Sequence, residues 1–171
     1  MSDVVVRKGT AEDVAACLDI YNYEVVHGVA TLDIQPRTLD EWNQWFNAHS
    51  TYNRPLLVAT IDDQVAGYAT LSGYRDKEAY ISSVELSIYV SPNFRKHGVA
   101  TALMGDILEY AKKEPSIHLV VSVITAGNEA SVKLHEKFGF TYAGQIPMVG
   151  VKNGEYQAID NYYLIVREDK E

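Results

Sequence analysis

The stretch Glu85-Leu-Ser-Ile-Tyr-Val-Ser-Pro-Asn-Phe-Arg95-Lys-His-Gly98-Val-Ala100 decides how this chain reads. Val84 to Val90 is an apolar strand, and Pro92 turns the chain out of it. Beyond Arg95-Lys96-His97-Gly98, the residues Val99, Ala102, Leu103, Ile107, Tyr110 and Ala111 recur at helical spacing. They predict a helix to about Lys113. A strand that delivers a basic, glycine-containing loop to a helix N-terminus is a device for holding phosphates. Loop amides point at the anion, and the helix dipole favours it. Gly98 and Ala100 are small where a pyrophosphate needs close backbone approach, and the amides from Lys96 to Thr101 are its expected ligands. Along the strand Glu85, Ser87 and Tyr89 face one way, and Val84, Leu86, Ile88 and Val90 the other. A candidate general base, Glu85, therefore shares one element with the phosphate grip.

Working outward, strands alternate with helices. Val4–Arg7 is a short strand. Thr10, with Asp13 three residues on, caps a helix over about Ala11–Val26. Thr38 and Glu41 form a capping box that opens a second helix to about Ala48. Trp42, Trp45 and Phe46 lie on its face, as core or as cleft wall. Leu56–Thr60 and Gln64–Leu71 read as a hairpin joined through Asp62-Asp63, and residues 73–80 as a polar, tyrosine-bearing loop. Ile117–Ile124 is a nearly continuous apolar run, the signature of a strand buried on both faces. Asn128 caps a helix over Glu129–Lys137, and Gly139 suits its C-terminal end. Strands at Phe140–Gly144 and about Tyr156–Val166 complete the pattern, with Asn153-Gly154 as a turn signal. The expectation is a single α/β domain over residues 1–171 with a mixed sheet, its centre formed by Ser83–Val90 and Ile117–Ile124.

Bulk properties narrow the function. The chain has 171 residues, 47% of them hydrophobic, and a formal net charge of −8. Such a balance argues against a general nucleic-acid binder, which needs a basic face. It also makes the local Arg95, Lys96, His97 cluster stand out as a grip for one small polyanion. No segment has the apolar length of a membrane span, and the N-terminus lacks the features of a signal peptide. The single cysteine, Cys17, lies on the apolar stripe Val14, Cys17, Leu18, Tyr21 and reads as core. A chain with no possible internal disulfide fits a reducing cytoplasm. His27, His49, His97 and His118 have no metal-ligand spacing, so no metal is implied.

Neither a Walker loop nor a Rossmann fingerprint is present. What stands is Arg95-x-x-Gly98-x-Ala100, followed by Asn128-Glu-Ala-Ser131-Val-Lys-Leu-His135-Glu-Lys-Phe-Gly139-Phe140. In this order the two resemble the acetyl-CoA motif and the second motif of the GCN5-related N-acetyltransferase superfamily. The segments Asp19-Ile-Tyr-Asn22, Gly73-Tyr-Arg75, Val84-Glu85-x-Ser87-x-Tyr89-Val90, Ala126-Gly-Asn128, Leu134-His135-Glu136 and Val149-Gly-x-Lys152 extend the likeness to the phosphinothricin/methionine sulfone acetyltransferase branch. The resemblance implies a mixed, mostly antiparallel sheet of about six to seven strands with about four helices. It also implies acetyl-CoA as co-substrate, the primary amine of a small molecule as acceptor (an amino-acid analogue such as phosphinothricin or methionine sulfone or sulfoximine) and a homodimer.

The resemblance implies roles residue by residue. Arg95, Lys96, His97, Gly98, Val99, Ala100 and Thr101 would hold the pyrophosphate. Backbone groups of Ile88, Tyr89 and Val90 would meet the thioester, and Asn128 and Ser131 the pantetheine chain. Glu85 would be the base that frees the amine; its other reading is a strand-start carboxylate paired with Arg75 or Lys77. His135, where many members carry a tyrosine, would protonate the leaving thiolate, a role also open to water; its other reading is a packed helical histidine. Tyr74, Arg75, Glu85 and Ser87 would contact the acceptor. Leu86 and the loop 76–82 depart from the branch, so the likeness implies the chemistry without naming the acceptor. The alternatives are a peptide N-terminus or polyamine as acceptor, or a non-catalytic acyl-CoA-binding domain.

Overall fold

The computed structural model describes residues 2–49 and 53–168. Seven strands form one sheet in the order β1-β2-β3-β4-β5-β7-β6. They are β1 (Val5–Lys8), β2 (Leu56–Ile61), β3 (Gln64–Gly73), β4 (Ser83–Val90), β5 (Leu119–Thr125), β6 (Thr141–Lys152) and β7 (Glu155–Ile165). The helices are α1 (Val14–His27), α2 (Leu39–Ala48), α3 (Val99–Lys113) and α4 (Glu129–Lys137). Every strand pair is antiparallel except β4 with β5.

Local chemistry sets the element ends as the sequence predicts. Thr38 caps α2: its Oγ1 accepts from the Glu41 amide at 3.3 Å, and Glu41 Oε2 accepts from the Thr38 amide at 2.7 Å. Asp13 accepts the Thr10 amide at 2.7 Å and two Arg7 guanidinium bonds at 2.7 and 2.8 Å. The first turn of the predicted helix at Ala11 is, however, a separate 3₁₀ turn over Ala11–Asp13. In the β2–β3 hairpin, Asp62 and Asp63 both take positive φ, as a two-residue primed turn requires.

The largest departure is β6. The expected strand over Phe140–Gly144 runs instead from Thr141 to Lys152 and turns through Asn153-Gly154 into β7. Gly144, Pro147 and Gly150 break its pattern in sequence. Two register shifts absorb them in the structure.

The core lies in two layers. Leu71, Val84 and Leu86 meet Leu103, Met104 and Ile107 of α3 on one side of the sheet. Val58 and Tyr68 meet Cys17, Leu18 and Trp42 of α1 and α2 on the other. Cys17 is fully buried there, and burial pushes its thiol up to about 12. Among the described residues no helix is long and apolar enough to cross a membrane.

Candidate active site

β4 pairs with β3 from Val84 opposite Gly73 to Val90 opposite Gly67. With β5 it pairs only over Ser83–Glu85. Beyond Glu85 the two parallel strands part, while β5 continues against β7 to Thr125. The backbone groups on that side of β4 are left without a strand partner, which in a packed interior calls for a ligand or water. A cleft of about 830 Å³ occupies the gap, with Leu86 to Val90 on one wall and Ser122 to Asn128 on the other.

The phosphate loop opens into this cleft through Arg95, Lys96 and Gly98 to Thr101. Lys96 and Gly98 both take positive φ, 63° and 79°. The first helical bond of α3 runs from the Ala102 amide to the Gly98 carbonyl at 3.0 Å. The amides of Val99, Ala100 and Thr101 thus have no helical partner and form an anion-binding N-terminus. A Cβ on Gly98 would meet nothing within 4 Å, so the cradle is open space. Arg95 forms an ion pair with Glu24 at 2.9 Å, and Glu24 also lines the cleft. His97 does not line it: its Nδ1–H turns back to donate to the Arg95 carbonyl at 2.8 Å. Asn128 caps α4, accepting from the Ser131 amide at 3.2 Å, and both residues face the cleft.

His135 is buried on the cleft wall. Its Nδ1 lies 2.7 Å from the Ser131 carbonyl and its Nε2 2.8 Å from Ser122 Oγ. A carbonyl only accepts, so Nδ1 carries the proton and Nε2 accepts from the Ser122 hydroxyl. Burial lowers the pKa of His135, opposed by the Ser131 bond, and so favours the neutral ring.

Glu85 sits on the other face of β4, two residues before Ser87 and opposite Ser72 of β3. It is half-buried. Desolvation raises its pKa, while the nearby Arg75 charge lowers it. Arg75 is exposed, with its guanidinium 5.0 Å from the Tyr74 ring centroid, and Tyr74 makes an edge contact with Tyr80. A second cavity lies on this face, and Ser87 and Tyr89 line both it and the larger cleft. Among the described residues, Glu85, Tyr74 and Arg75 line neither cavity. Nor does any group of three or more His, Cys, Asp and Glu side chains gather at a point that could hold a metal.

Sequence reasoning passed over Ser122 and Glu24, and of the second cavity it offered only Trp42 and Trp45 as possible cleft wall and Ser87 as an acceptor contact. Ser122 did leave a signal, as a lone hydroxyl inside the apolar run Leu119–Ile124.

A parted pair of parallel strands, a helix N-terminus open to the cleft between them and a half-buried carboxylate on the same strand form an arrangement suited to acyl transfer. Residues 19–140 match the Acetyltransferase (GNAT) family, and the chain belongs to it. It is 34% identical over 158 residues to a phosphinothricin N-acetyltransferase of Streptomyces coelicolor, covering 91% of this chain and 92% of that one. It is 33% identical over 155 residues to an L-methionine sulfoximine/L-methionine sulfone acetyltransferase of Salmonella typhimurium, covering 90% and 89%. The structure of yncA from Salmonella typhimurium with its cofactor acetyl-CoA superposes with a TM-score of 0.93 at 30% identity, covering 98% of this chain and 96% of that one.

Proposed function

We propose that the chain is a single N-acetyltransferase domain that moves an acetyl group from acetyl-CoA to the primary amine of a small, amino-acid-like molecule. One observation carries the reading. The cleft opened by the parting of β4 and β5 meets the Glu85 face of β4 at Ser87 and Tyr89, which line the cavities on both sides. Donor and acceptor can therefore approach one strand from its two sides.

The residues present fit acetyl-CoA. The amides of Val99, Ala100 and Thr101, with Arg95, Lys96 and Gly98, would take the pyrophosphate. Asn128 and Ser131 would take the pantetheine, and Ile88, Tyr89 and Val90 the thioester end. Bound there, the co-substrate supplies an activated acetyl thioester. Glu85 removes a proton from the acceptor's ammonium group, directly or through water, because only the neutral amine is a nucleophile. Backbone amides at residues 88–90 would stabilise the negative charge that develops on the thioester carbonyl oxygen. Arg75 offers its planar fork to the acceptor's carboxylate.

For His135 to protonate the departing sulfur, Nε2 must first gain a proton and the Ser122 hydroxyl must turn to accept. Burial opposes that charged ring. Water is therefore assigned as the proton source, with the Ser122–His135 pair keeping this wall polar.

We assign the working form to a cytoplasmic homodimer. β6 is a 12-residue edge strand that exposes Tyr142, Ile146, Met148, Val149 and Val151. An uncovered apolar edge of this kind is a liability in a monomer and suits a subunit interface.

The test of the activity is thiol release from acetyl-CoA across an amine panel of methionine sulfone, methionine sulfoximine, phosphinothricin, free amino acids, spermidine and short peptides. Release with amino-acid analogues is expected. Tight acetyl-CoA binding without release for any amine would leave a non-catalytic binding domain instead.

A further inference from the structure

On the face of β4 that carries Glu85, three residue pairs span β3 and β4: Tyr68 opposite Tyr89, Thr70 opposite Ser87 and Ser72 opposite Glu85. The first two pairs and Ser72 line the second cavity, and Glu85 does not. Ser72 is therefore the cavity-lining side chain that stands directly across from the carboxylate. Opposed residues on one face of an antiparallel pair have Cβ atoms about 4.5–5.5 Å apart, so the Ser72 hydroxyl and the Glu85 carboxyl share one small space.

Ser72 is also tied from behind. His49 caps the C-terminal end of α2 and is buried, its ring tilted on that of Trp45 with centroids 4.7 Å apart. Its Nδ1 lies 2.8 Å from the Trp45 carbonyl, and its Nε2 lies 2.7 Å from Ser72 Oγ. A carbonyl only accepts, so Nδ1 carries the proton and Nε2 accepts from the Ser72 hydroxyl. Burial lowers the pKa of His49, as does the charge of Arg54, against the bond to Trp45, and this favours the neutral ring. The one proton of the Ser72 hydroxyl is thus committed to His49, and the oxygen keeps its lone pairs for a donor.

We propose that the Ser72 oxygen is a second contact for the acceptor's nitrogen beside Glu85, and that His49 is the positioning residue that keeps this oxygen an acceptor. The inference rests on the acetyl-transfer reading above and on Glu85 as its base. An ammonium group only donates, so its partners must accept. Ser72 and Glu85 offer such a pair, one neutral and one charged. When Glu85 takes one proton, directly or through water, the amine keeps an N–H bond to Ser72 and turns its new lone pair to the thioester carbon. The arrangement also protects the base. A Ser72 hydroxyl free to rotate would donate to Glu85, stabilise the carboxylate and weaken it as a base. The other charges near the pair are Arg75, which acts on Glu85 from the loop after β3, and Arg54, whose Nη2 would lie 2.8 Å from a Cβ on Gly73. Asp33, Arg37 and Glu41 line the same cavity and are paired with one another.

The test joins kinetics to two NMR measurements. Ser72→Ala should lower kcat/KM for methionine sulfone by about tenfold, the scale of a lost bond to a charged group. The loss should fall chiefly on the KM of the amine and leave the KM of acetyl-CoA in place. Ser72→Thr, which restores the oxygen, should recover most of it. His49→Phe should release the Ser72 proton toward Glu85. The acid limb of kcat/KM, and the Glu85 carboxyl titration followed by carbon-13 NMR, should then move to lower pH by about half a pH unit or more. With Ser72→Ala as background, His49→Phe should produce no such movement. Loss of a histidine charge alone would move both readouts the other way. A limb that stays or rises in His49→Phe therefore overturns the proposal, as does the same downward movement without Ser72. Nitrogen-15 NMR of the unmodified protein reads the tautomer with no variant: a proton on Nδ1 of His49 at neutral pH is expected, and one on Nε2 would overturn the assignment. Unchanged amine kinetics in Ser72→Ala would overturn this proposal alone, whereas absence of thiol release with every amine in the unmodified protein would sink it together with the acetyl-transfer reading.

Discussion

Gly98 separates the cost of folding from the cost of cofactor binding. Its φ of 79° lies in the left-handed region, and an added Cβ meets no atom within 4 Å. Gly98→Ala therefore introduces no clash within the protein. It costs only the left-handed strain of an L-residue, about 1–2 kcal/mol. For a domain of this size each kcal/mol lowers Tm by about 2–4 °C. The methyl group does enter the open cradle in front of the α3 amides, where a pyrophosphate must come close. Acetyl-CoA affinity should fall by about tenfold or more, or about 1.4 kcal/mol. Gly139 is the internal control. It takes φ 85° at the end of α4, has equally empty surroundings and does not line the cleft. Gly139→Ala should lower Tm by a similar amount and leave acetyl-CoA binding unchanged. Calorimetric titration with acetyl-CoA, paired with thermal melts of both variants, decides the matter. Wild-type affinity in Gly98→Ala, or equal loss of affinity in both variants, would refute the phosphate-loop argument.

Three other outcomes follow from the same geometry. Burial raises the pKa of Glu85, so the base is lost by protonation as pH falls, at a higher pH than for an exposed carboxylate. Since Arg75 opposes that rise, Arg75→Ala should move the acid limb of kcat/KM to still higher pH; a limb that stays in place would unseat Glu85 as the base. Asp13→Asn should cost about 2 kcal/mol of stability at neutral pH, because a buried carboxylate loses charge-assisted bonds to Arg7. The Arg7 bond holds the Asp13 carboxyl below its ordinary value, so its contribution is present above the unfolded-state pKa and fades as pH falls through the folded-state one; urea melts in which the gap persists at low pH would contradict this. His135→Gln should lower kcat less than about tenfold and keep the alkaline side of the kcat profile, since water protonates the sulfur; disappearance of an alkaline limb would mark His135 as the acid.

The parts of the fold legible in sequence are those fixed by near neighbours. The capping boxes at Thr10 and Thr38, the strand–loop–helix around Gly98 and the burial of Cys17 all follow from spacing of a few residues. Strand β6 was legible only to Gly144, because its later half owes its pairing to β7 rather than to its own pattern. The cleft between β4 and β5 was readable because most of the residues proposed to meet acetyl-CoA lie in two short motifs, and these line it. His97 is the exception: its charge suggested a phosphate contact, but the positive φ at Lys96 brings its ring back to the Arg95 carbonyl. The second cavity was readable only in Trp42, Trp45 and Ser87, not as a whole. It joins Tyr21, Trp45, Tyr68 and Ser87 from four elements and Arg37 from the loop before α2, and no local pattern says that these side chains meet. The ion pair of Arg95 with Glu24, 71 positions apart, was hidden for the same reason.

The most direct test of the central claim is acetyl transfer by Glu85→Gln compared with the unmodified protein. Free thiol and N-acetylated product would be followed with methionine sulfone across a range of pH, and acetyl-CoA binding measured in parallel. The account predicts unchanged acetyl-CoA affinity, product from the unmodified protein, and a loss of turnover of about 10²-fold or more in the variant at neutral pH that narrows as alkalinity deprotonates the amine. Unchanged kcat in Glu85→Gln at every pH would contradict it.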